Sequence, residues 1–420
     1  MGIKKRSFKI KMIESDDIEY WVWLSEAIYP GIPDAQNMLS IFDYSPKKLY
    51  EFGQPYRFQN IKNISNKTQQ RLSQITLKDA QNIIYQCQKN NYQIITYTDK
   101  KYPIRLKNIY SSPTLLYIKG NLNYIDNTLA IAIIGARKCS DYAKDVTKYF
   151  AEKLAKNNIT IISGLAIGVD SIALETSVKN GNSTIAVIGC GIDINYPKQN
   201  KYLKDAIASL ENGCIISEYP PNTKPLAINF PIRNRIISGL SVGVLVVEAS
   251  AKSGALITAQ LAIDQGKDIF GIPNNIFDKN NSGVMNLLKS GAIIATSPQD
   301  ILDQYEWQYD LKNKSNINTI FPIFPSMLDH KLLINNNIND CNNQIENKLS
   351  NDIIDELDKP LKDIFGLLLD GNPQSIDYIS TKLDVPVNEI IVNITKLELD
   401  GYIKSYPGGK YAAFTRCNEK

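Results

Sequence analysis

The chain has few of the residues that build metal sites and histidine-based catalytic centres. Among 420 residues there is a single histidine, His330, and the six cysteines are scattered. No cysteine pair has metal-ligand or redox spacing, and no cysteine or acidic cluster accompanies the histidine apart from Asp329. We therefore expect no metal, no cofactor and no histidine-based triad. Scattered cysteines are typical of a protein in a reducing cytoplasm.

Long apolar runs and a large charge excess are also absent. No stretch of roughly 18 apolar residues occurs, so no membrane span is expected. The charged start, Met1-Gly2-Ile3-Lys4-Lys5-Arg6, lacks the apolar stretch of a signal peptide. The net charge of +4, from 47 basic and 43 acidic side chains, is too small to indicate a nucleic-acid partner by itself. Any basic site must be local.

The chain is too long for one core, and its patterns indicate three regions and a linker. Residues 1–126 are predicted to form a small, mainly helical domain, and residues 127–311 an α/β domain. Residues 312–351 are rich in Asn and Lys and poor in apolar periodicity, which is typical of a flexible linker. Residues 352–420 predict three helices and a hairpin, which together make a winged helix-turn-helix.

Short apolar runs alternate with helical patterns throughout the second region. Strands that are apolar on both faces belong to a covered parallel sheet. Their alternation with helices predicts a doubly wound, Rossmann-like sheet with right-handed crossovers. The predicted strands are 129–134, 159–162, 184–188, 214–216, 242–247, 268–272 and 292–295, with two more in the first region at 94–97 and 115–118.

Glycines, hydroxyl residues and arginines follow several of these strands. Ligands of an open parallel sheet bind beyond the carboxyl ends of its strands. Glycine turns and helix N-termini offer backbone amides there, and an arginine can hold a phosphate with two hydrogen bonds. We expect a phosphate-binding site formed by Gly135, Arg137, Ser163, Gly164, Lys198, Phe230, Arg233, Asn234, Arg235, Ser253, Gly254 and Thr258.

The glycine pattern does not match the common nucleotide-binding motifs. The first turn has no Gly-x-Gly-x-x-Gly, no acid for a ribose stands at the end of the second strand, and no P-loop lysine follows the glycines. A dinucleotide or nucleoside triphosphate cradle of the usual kind is therefore not predicted.

These segments resemble the DNA-processing protein A family, also called DprA or Smf. The resemblance covers the whole second region and, more loosely, the first. The motifs that carry it are Ile133-Ile134-Gly135-Ala136-Arg137, Ser163-Gly164-Leu165-Ala166, Gly189-Cys190-Gly191-Ile192-Asp193, Ser217-Glu218-Tyr219-Pro220, Phe230-Pro231 with Arg233-Asn234-Arg235, and Ser253-Gly254-Ala255-Leu256-Ile257-Thr258.

The resemblance implies a protein that binds single-stranded DNA during uptake of foreign DNA, protects the strand and loads the RecA recombinase on it. It also implies a homodimer joined through the Rossmann-like domain. On this hypothesis Arg137, Lys198, Arg233 and Arg235 form one positive pocket at the sheet edge. Phe230 or Tyr196 then stacks on a base.

Two alternatives remain open. Related Rossmann-like proteins cleave nucleoside monophosphates with a Pro-Gly-Gly-x-Gly-Thr segment and a Glu, but here the only Pro-Gly-Gly, Pro407-Gly408-Gly409, falls in the predicted wing. Asp170, Glu218 and Glu248 are candidate acids for such a reaction, although we favour a role in orienting the arginines and predict no catalytic residue. A transcription factor is the other alternative, but the predicted recognition helix 387–399 has Lys396 as its only cation and is a poor duplex reader.

Overall fold

The computed structural model describes residues 17–53, 58, 61, 64–305, 359–368, 374–399, 402–406 and 410–413. The chain divides into two compact units, Met1–Phe321 and Pro322–Lys420, and each is described by itself. The predicted linker 312–351, His330 and Pro407-Gly408-Gly409 lie outside the described residues.

The first region begins with five helices around a tryptophan-rich core. Trp21, Trp23 and Leu24 are buried on the first helix, and a capping box formed by Thr76 and Asp79 starts the fifth. The helices are α1 (Ile18–Ala27), α2 (Asp34–Ile41), α3 (Pro46–Gly53), α4 (Asn66–Gln74) and α5 (Leu77–Lys89).

A nine-stranded sheet forms the centre of the first unit, in the order β1-β2-β6-β5-β4-β3-β7-β8-β9. The seven strands β3 to β9 are parallel, which confirms the predicted doubly wound α/β fold. The strands are β1 (Gln93–Thr96), β2 (Leu115–Gly120), β3 (Ala130–Ile134), β4 (Thr160–Ser163), β5 (Thr184–Ile188), β6 (Gly213–Ser217), β7 (Gly243–Val246), β8 (Asp268–Gly271) and β9 (Ile293–Ile294).

Helices cover both faces of this sheet because its strands are apolar on both sides. On β3, Ile131 and Ile133 pack with helices of one face, whereas Ala130, Ala132 and Ile134 pack with helices of the other. The helices are α6 (Ile104–Lys107), α7 (Asp141–Lys156), α8 (Val169–Lys179), α9 (Lys201–Ser209), α10 (Asn229–Leu240), α11 (Gly254–Asp264), α12 (Ser282–Lys289) and α13 (Pro298–Tyr305).

The two strands predicted in the first region extend the same sheet. β1 pairs with β2, and β2 pairs with β6, both antiparallel, with Tyr117 opposite Ser217. The boundary predicted after residue 126 therefore falls inside one compact unit. An apolar run indicates a strand but not its partner, so the sequence pattern left these strands with the helices that precede them.

Within its described residues, the second unit has three helices, Lys359–Leu368, Ile376–Leu383 and Val387–Leu399, and three short strands. The strands are β10 (Gln374–Ser375), β11 (Ile403–Tyr406) and β12 (Lys410–Ala413), in the order β10-β12-β11. Phe365, Ile379, Ile390 and Leu397 form its core. A role of this unit as a winged helix remains a prediction.

None of the helices in the described parts of the chain combines the length and the apolar composition that a membrane crossing needs.

Candidate functional site

A pocket of about 480 Å³ opens at the carboxyl edge of the sheet, beside the neighbouring ends of β3 and β7. The order of the strands reverses at this point, since the chain runs outward from β3 to β6 and then returns to β7. Open α/β sheets bind ligands at such switch points. The lining residues are Ile134, Gly135, Arg137, Ala166, Asp170, Tyr196, Pro225, Ala227, Phe230, Pro231, Arg233, Asn234, Ile237, Ser253, Gly254, Ala255, Ile257 and Thr258.

Arg137 is an exposed cation at the rim of this pocket. Its guanidinium carbon lies 5.8 Å from the centre of the Phe230 ring, and it forms no hydrogen bond or ion pair with the residues that the structure describes. The backbone of Arg137 packs closely against Gly168, which has a φ of 88°. A Cβ at Gly168 would lie 2.5 Å from the Arg137 carbonyl oxygen, so only glycine permits this approach. The backbone around Arg137 is therefore held in place, while its guanidinium remains available to a ligand.

Two aromatic rings form one wall of the pocket. The rings of Tyr196 and Phe230 have centroids 5.3 Å apart and an interplanar angle of 37°. Tyr196 is 40% exposed and Phe230 is half-buried. Ring faces of this kind can stack on a nucleobase regardless of its identity.

Arg233 lies beneath these rings and is buried. It donates hydrogen bonds to the carbonyl oxygens of Gly164, at 2.9 Å, and of Val187, and its Nε donates to Asn234 Oδ1 at 3.2 Å. Burial lowers the pKa of Arg233 to about 10, and the nearby Asp170 opposes this shift. Arg233 therefore ties the ends of β4 and β5 together and adds positive charge from the pocket floor.

Arg235 does not line this pocket, contrary to the prediction. It lies in helix α10, where side chains two residues apart point about 200° apart, so it faces away from Arg233. Its guanidinium donates to both carboxylate oxygens of Glu218, at 2.8 and 2.6 Å, and its Nε donates to the Ser111 carbonyl at 3.0 Å. Both charged side chains are buried, with exposed fractions of 6% and 7%. They border a second cavity of about 20 Å³ that Gly31 also lines.

Lys198 and Ser163 also lie outside the pocket lining. Lys198 is exposed in a short turn that follows Tyr196. Ser163 is fully buried, and its hydroxyl donates to the Ile133 carbonyl at 2.6 Å, which joins β4 to β3. Gly164 is not in the lining but touches it, since a Cβ there would lie 2.7 Å from Arg233 Nη2. The remaining predicted residues line the pocket.

The N-terminus of α11 forms another wall of the pocket. Ser253 is the N-cap, and its hydroxyl accepts a hydrogen bond from Ala255 N at 3.3 Å. Gly254 is exposed, and no atom lies within 4 Å of the Cβ position there. The positive end of the helix therefore faces the pocket without a side chain in front of it, which favours an anion.

The acidic residues near the pocket all have structural partners. Asp170 accepts hydrogen bonds from the amides of Gly164, at 3.2 Å, and Ala166, at 3.4 Å, although burial raises its pKa. Glu248 accepts from the amide and, at 2.5 Å, from the hydroxyl of Ser140, which begins α7. The expectation that these acids orient arginines fits Asp170, which lies near Arg233, but Glu248 holds a helix terminus instead.

The main feature that sequence reasoning missed is that α10 begins before the two arginines. No helix was assigned there from the sequence, although proline is tolerated in the first turn of a helix. The helical spacing of Arg233, Ile236, Ile237 and Leu240, all of which are buried, was the available signal.

Comparisons with known proteins agree with the fold and with the motifs around the pocket. Residues 93–306 match the family model described as DNA recombination-mediator protein A. The DNA processing protein DprA of Streptococcus pneumoniae is 44% identical over 210 residues, which cover 50% of this chain and 73% of that protein. Protein Smf of Escherichia coli is 30% identical over 349 residues, which cover 83% of this chain and 85% of that protein.

A solved structure supports the same relationship. The X-ray structure of DNA processing protein A from Streptococcus pneumoniae matches with a TM-score of 0.58 and 34% sequence identity, covering 68% of this chain and 97% of that one. The family match extends over the sheet, from β1 to α13, and includes every residue that lines the pocket. The chain belongs to the DNA recombination-mediator protein A family.

Proposed function

We propose that this protein acts in DNA recombination by binding single-stranded DNA in the pocket beside β3 and β7, with Arg137 as its main phosphate contact. The observation that carries the proposal is the exposed Arg137 guanidinium, which has no ion pair within the described residues and lies beside the Phe230 ring. A guanidinium can donate two parallel hydrogen bonds to a phosphate, while the ring accepts a base.

The other walls of the pocket suit the same ligand. The α11 N-terminus at Ser253 and Gly254 offers backbone amides to a second phosphate oxygen. Arg233 adds a buried positive charge, and Gly135, Asn234 and Thr258 complete the surface. These groups recognise features that every nucleotide shares. Binding is therefore expected to be sensitive to salt and nearly independent of base sequence.

The family resemblance extends the proposal to partners. We infer that the protein protects the bound strand, loads the RecA recombinase on it and works as a homodimer joined through the Rossmann-like domain. Two copies then hold one strand at two points, which raises the affinity by avidity. We place this activity in a reducing cytoplasm, to which the free thiols of Cys87, Cys139, Cys190 and Cys214 are suited.

Hydrolysis of nucleotides is the alternative function for a pocket of this kind. Three acids could serve hydrolysis, but each already has a partner. Asp170 is held by backbone amides, Glu218 by Arg235, and Glu248 by Ser140 at the start of α7. These partners favour binding over hydrolysis. Incubating the pure protein with nucleoside monophosphates and measuring released base separates the two functions.

The binding proposal is tested with Arg137→Ala. Loss of a charge-assisted phosphate contact is expected to lower the affinity for a labelled oligothymidylate about tenfold or more. The slope of log K against log salt is expected to fall by about 0.7, the contribution of one phosphate on a single strand. Fluorescence anisotropy across a salt series, with duplex of the same length for comparison, measures both quantities.

Lys156→Ala is the matched control, because Lys156 is the last residue of α7 and pairs with Glu152 at the far edge of the sheet. It is expected to leave affinity and slope unchanged. If Arg137→Ala melts at the wild-type temperature and binds the oligonucleotide as tightly as wild type, the pocket is not the binding site.

A further inference from the structure

Two cations of α4 lie over the ring of Tyr29, which belongs to the turn between α1 and α2. Lys67 Nζ is 4.4 Å and the Arg71 guanidinium carbon is 4.6 Å from the centre of the Tyr29 ring. Tyr29 is 37% exposed, Lys67 is exposed and Arg71 is half-buried. Lys67 and Arg71 are four residues apart on α4 and therefore share one face of that helix. We refer to these three side chains as the Tyr29 cluster.

The positive charge of the Tyr29 cluster is not neutralised by an ion pair. Lys67 forms none with the described residues. Arg71 donates to the backbone carbonyls of Glu26 and Ala27, at 3.2 Å for the latter, and these acceptors carry no net charge. Burial raises the pKa of the Glu26 carboxyl to about 7, although the nearby Arg71 opposes this shift.

The cluster lies next to the helix that forms the aromatic wall of the DNA pocket. A Cβ at Gly31 would lie 2.9 Å from Ile232 Cγ2, so the turn between α1 and α2 packs directly against α10. The residues on either side of Ile232, Pro231 and Arg233, both line the pocket. Tyr29 is two residues from Gly31, which limits the distance between their Cα atoms to about 7 Å.

A pocket of about 480 Å³ accommodates roughly one nucleotide, so a longer strand must continue over its edge. We propose that the strand passes over α10 onto the Tyr29 cluster, where Tyr29 stacks on a base and Lys67 and Arg71 hold the neighbouring phosphates. A partly exposed aromatic ring beside cations is the chemistry that binds single strands without sequence preference. This inference rests on the proposed function, because it places a second contact on a strand that the pocket already holds.

The test compares two oligonucleotide lengths. Lys67→Ala is expected to weaken binding of an oligothymidylate of about 20 nucleotides roughly fivefold and to lower its salt slope by about 0.7, whereas a thymidine dinucleotide, which the pocket holds without help from the cluster, keeps its affinity. Tyr29→Leu is expected to weaken only the longer oligonucleotide by about fivefold or more, through lost stacking.

Lys47→Ala is the matched control on the same domain. Lys47 also lies over a tyrosine, 5.9 Å from the Tyr20 ring centre, but it is paired with Asp17 at 3.5 Å. It is expected to leave both lengths unaffected, and all variants are expected to melt at the wild-type temperature.

Three results overturn the second contact: wild-type affinity of Lys67→Ala for the longer oligonucleotide, an equal loss at both lengths, or the same loss in Lys47→Ala. Failure of the pocket itself gives a different result, in which Arg137→Ala binds both lengths as tightly as wild type.

Discussion

Arg235 and Glu218 form a buried ion pair. Breaking this pair is expected to lower the stability of the protein without removing a direct DNA contact. Arg235→Ala leaves the Glu218 carboxylate in a site where its side chain is only 7% exposed, with no cation to compensate it. Removing one partner of a buried pair typically costs about 3–5 kcal/mol. At about 2–4 °C per kcal/mol for a large domain, the melting temperature is expected to fall by about 10 °C.

The assay combines urea denaturation with binding of the short oligonucleotide. Arg235→Ala is expected to shift the urea midpoint to lower concentration, while the folded protein binds the oligonucleotide within about twofold of wild type, since the pocket lining does not include Arg235. Arg137→Ala is expected to show the opposite pattern, with normal stability and weak binding.

A double variant separates the loss of the pair from the loss of side-chain volume. Arg235→Met combined with Glu218→Leu removes both charges and keeps apolar bulk, and such replacements are often neutral or stabilising. It is therefore expected to recover most of the stability lost in Arg235→Ala. If Arg235→Ala keeps the wild-type urea midpoint but binds the short oligonucleotide at least tenfold more weakly, the structural role assigned to Arg235 is wrong.

Two further perturbations test the loop behind Arg137 and a buried acid. In Gly168→Ala the new Cβ meets the carbonyl oxygens of Ala136 and Arg137 at 2.4 and 2.5 Å, so we expect stability to fall by about 1–3 kcal/mol and short-oligonucleotide affinity to fall with it. Gly181→Ala, also at positive φ but with no atom within 4 Å, is expected to lose only stability, and equal binding by both variants would contradict the close-approach argument. Burial raises the pKa of Glu26 from 4.5 to about 7. The unfolded chain therefore ionises first, and the wild type is expected to lose up to about 3 kcal/mol between pH 4.5 and pH 7. Glu26→Gln should flatten this decline in urea titrations at pH 5 and pH 8, and identical pH dependence in both proteins would refute the assignment.

The strands of the sheet could be predicted to within two residues because burial on both faces leaves an apolar run in the sequence. The predicted strand 184–188 coincides with β5, and the run 129–134 contains β3. Glycines after these strands indicated that a site lies at the carboxyl edge, since glycine marks positions where the backbone must turn tightly or approach another group.

The predicted site residues separate according to the contacts they make. Arg137, Phe230 and Gly254 meet at one pocket, whereas Lys198 stays outside its lining and Ser163 is buried between strands. Strand order decides this outcome, because residues far apart in sequence become neighbours only when β3 pairs with β7. The Tyr29 cluster had no sequence motif, since its three side chains come from the turn after α1 and from α4.

The sequence by itself determined the α/β class, the positions of the strands and the edge at which the candidate site residues gather, because these follow from local patterns of burial and turning. Only the tertiary structure decided which arginine remains available to a ligand. Arg233 and Arg235 are two positions apart in the chain, yet the geometry of the helix directs Arg233 to the pocket floor and Arg235 to Glu218. Whether a charged side chain is available or already paired depends on partners from distant segments of the chain, and local sequence patterns do not identify these partners.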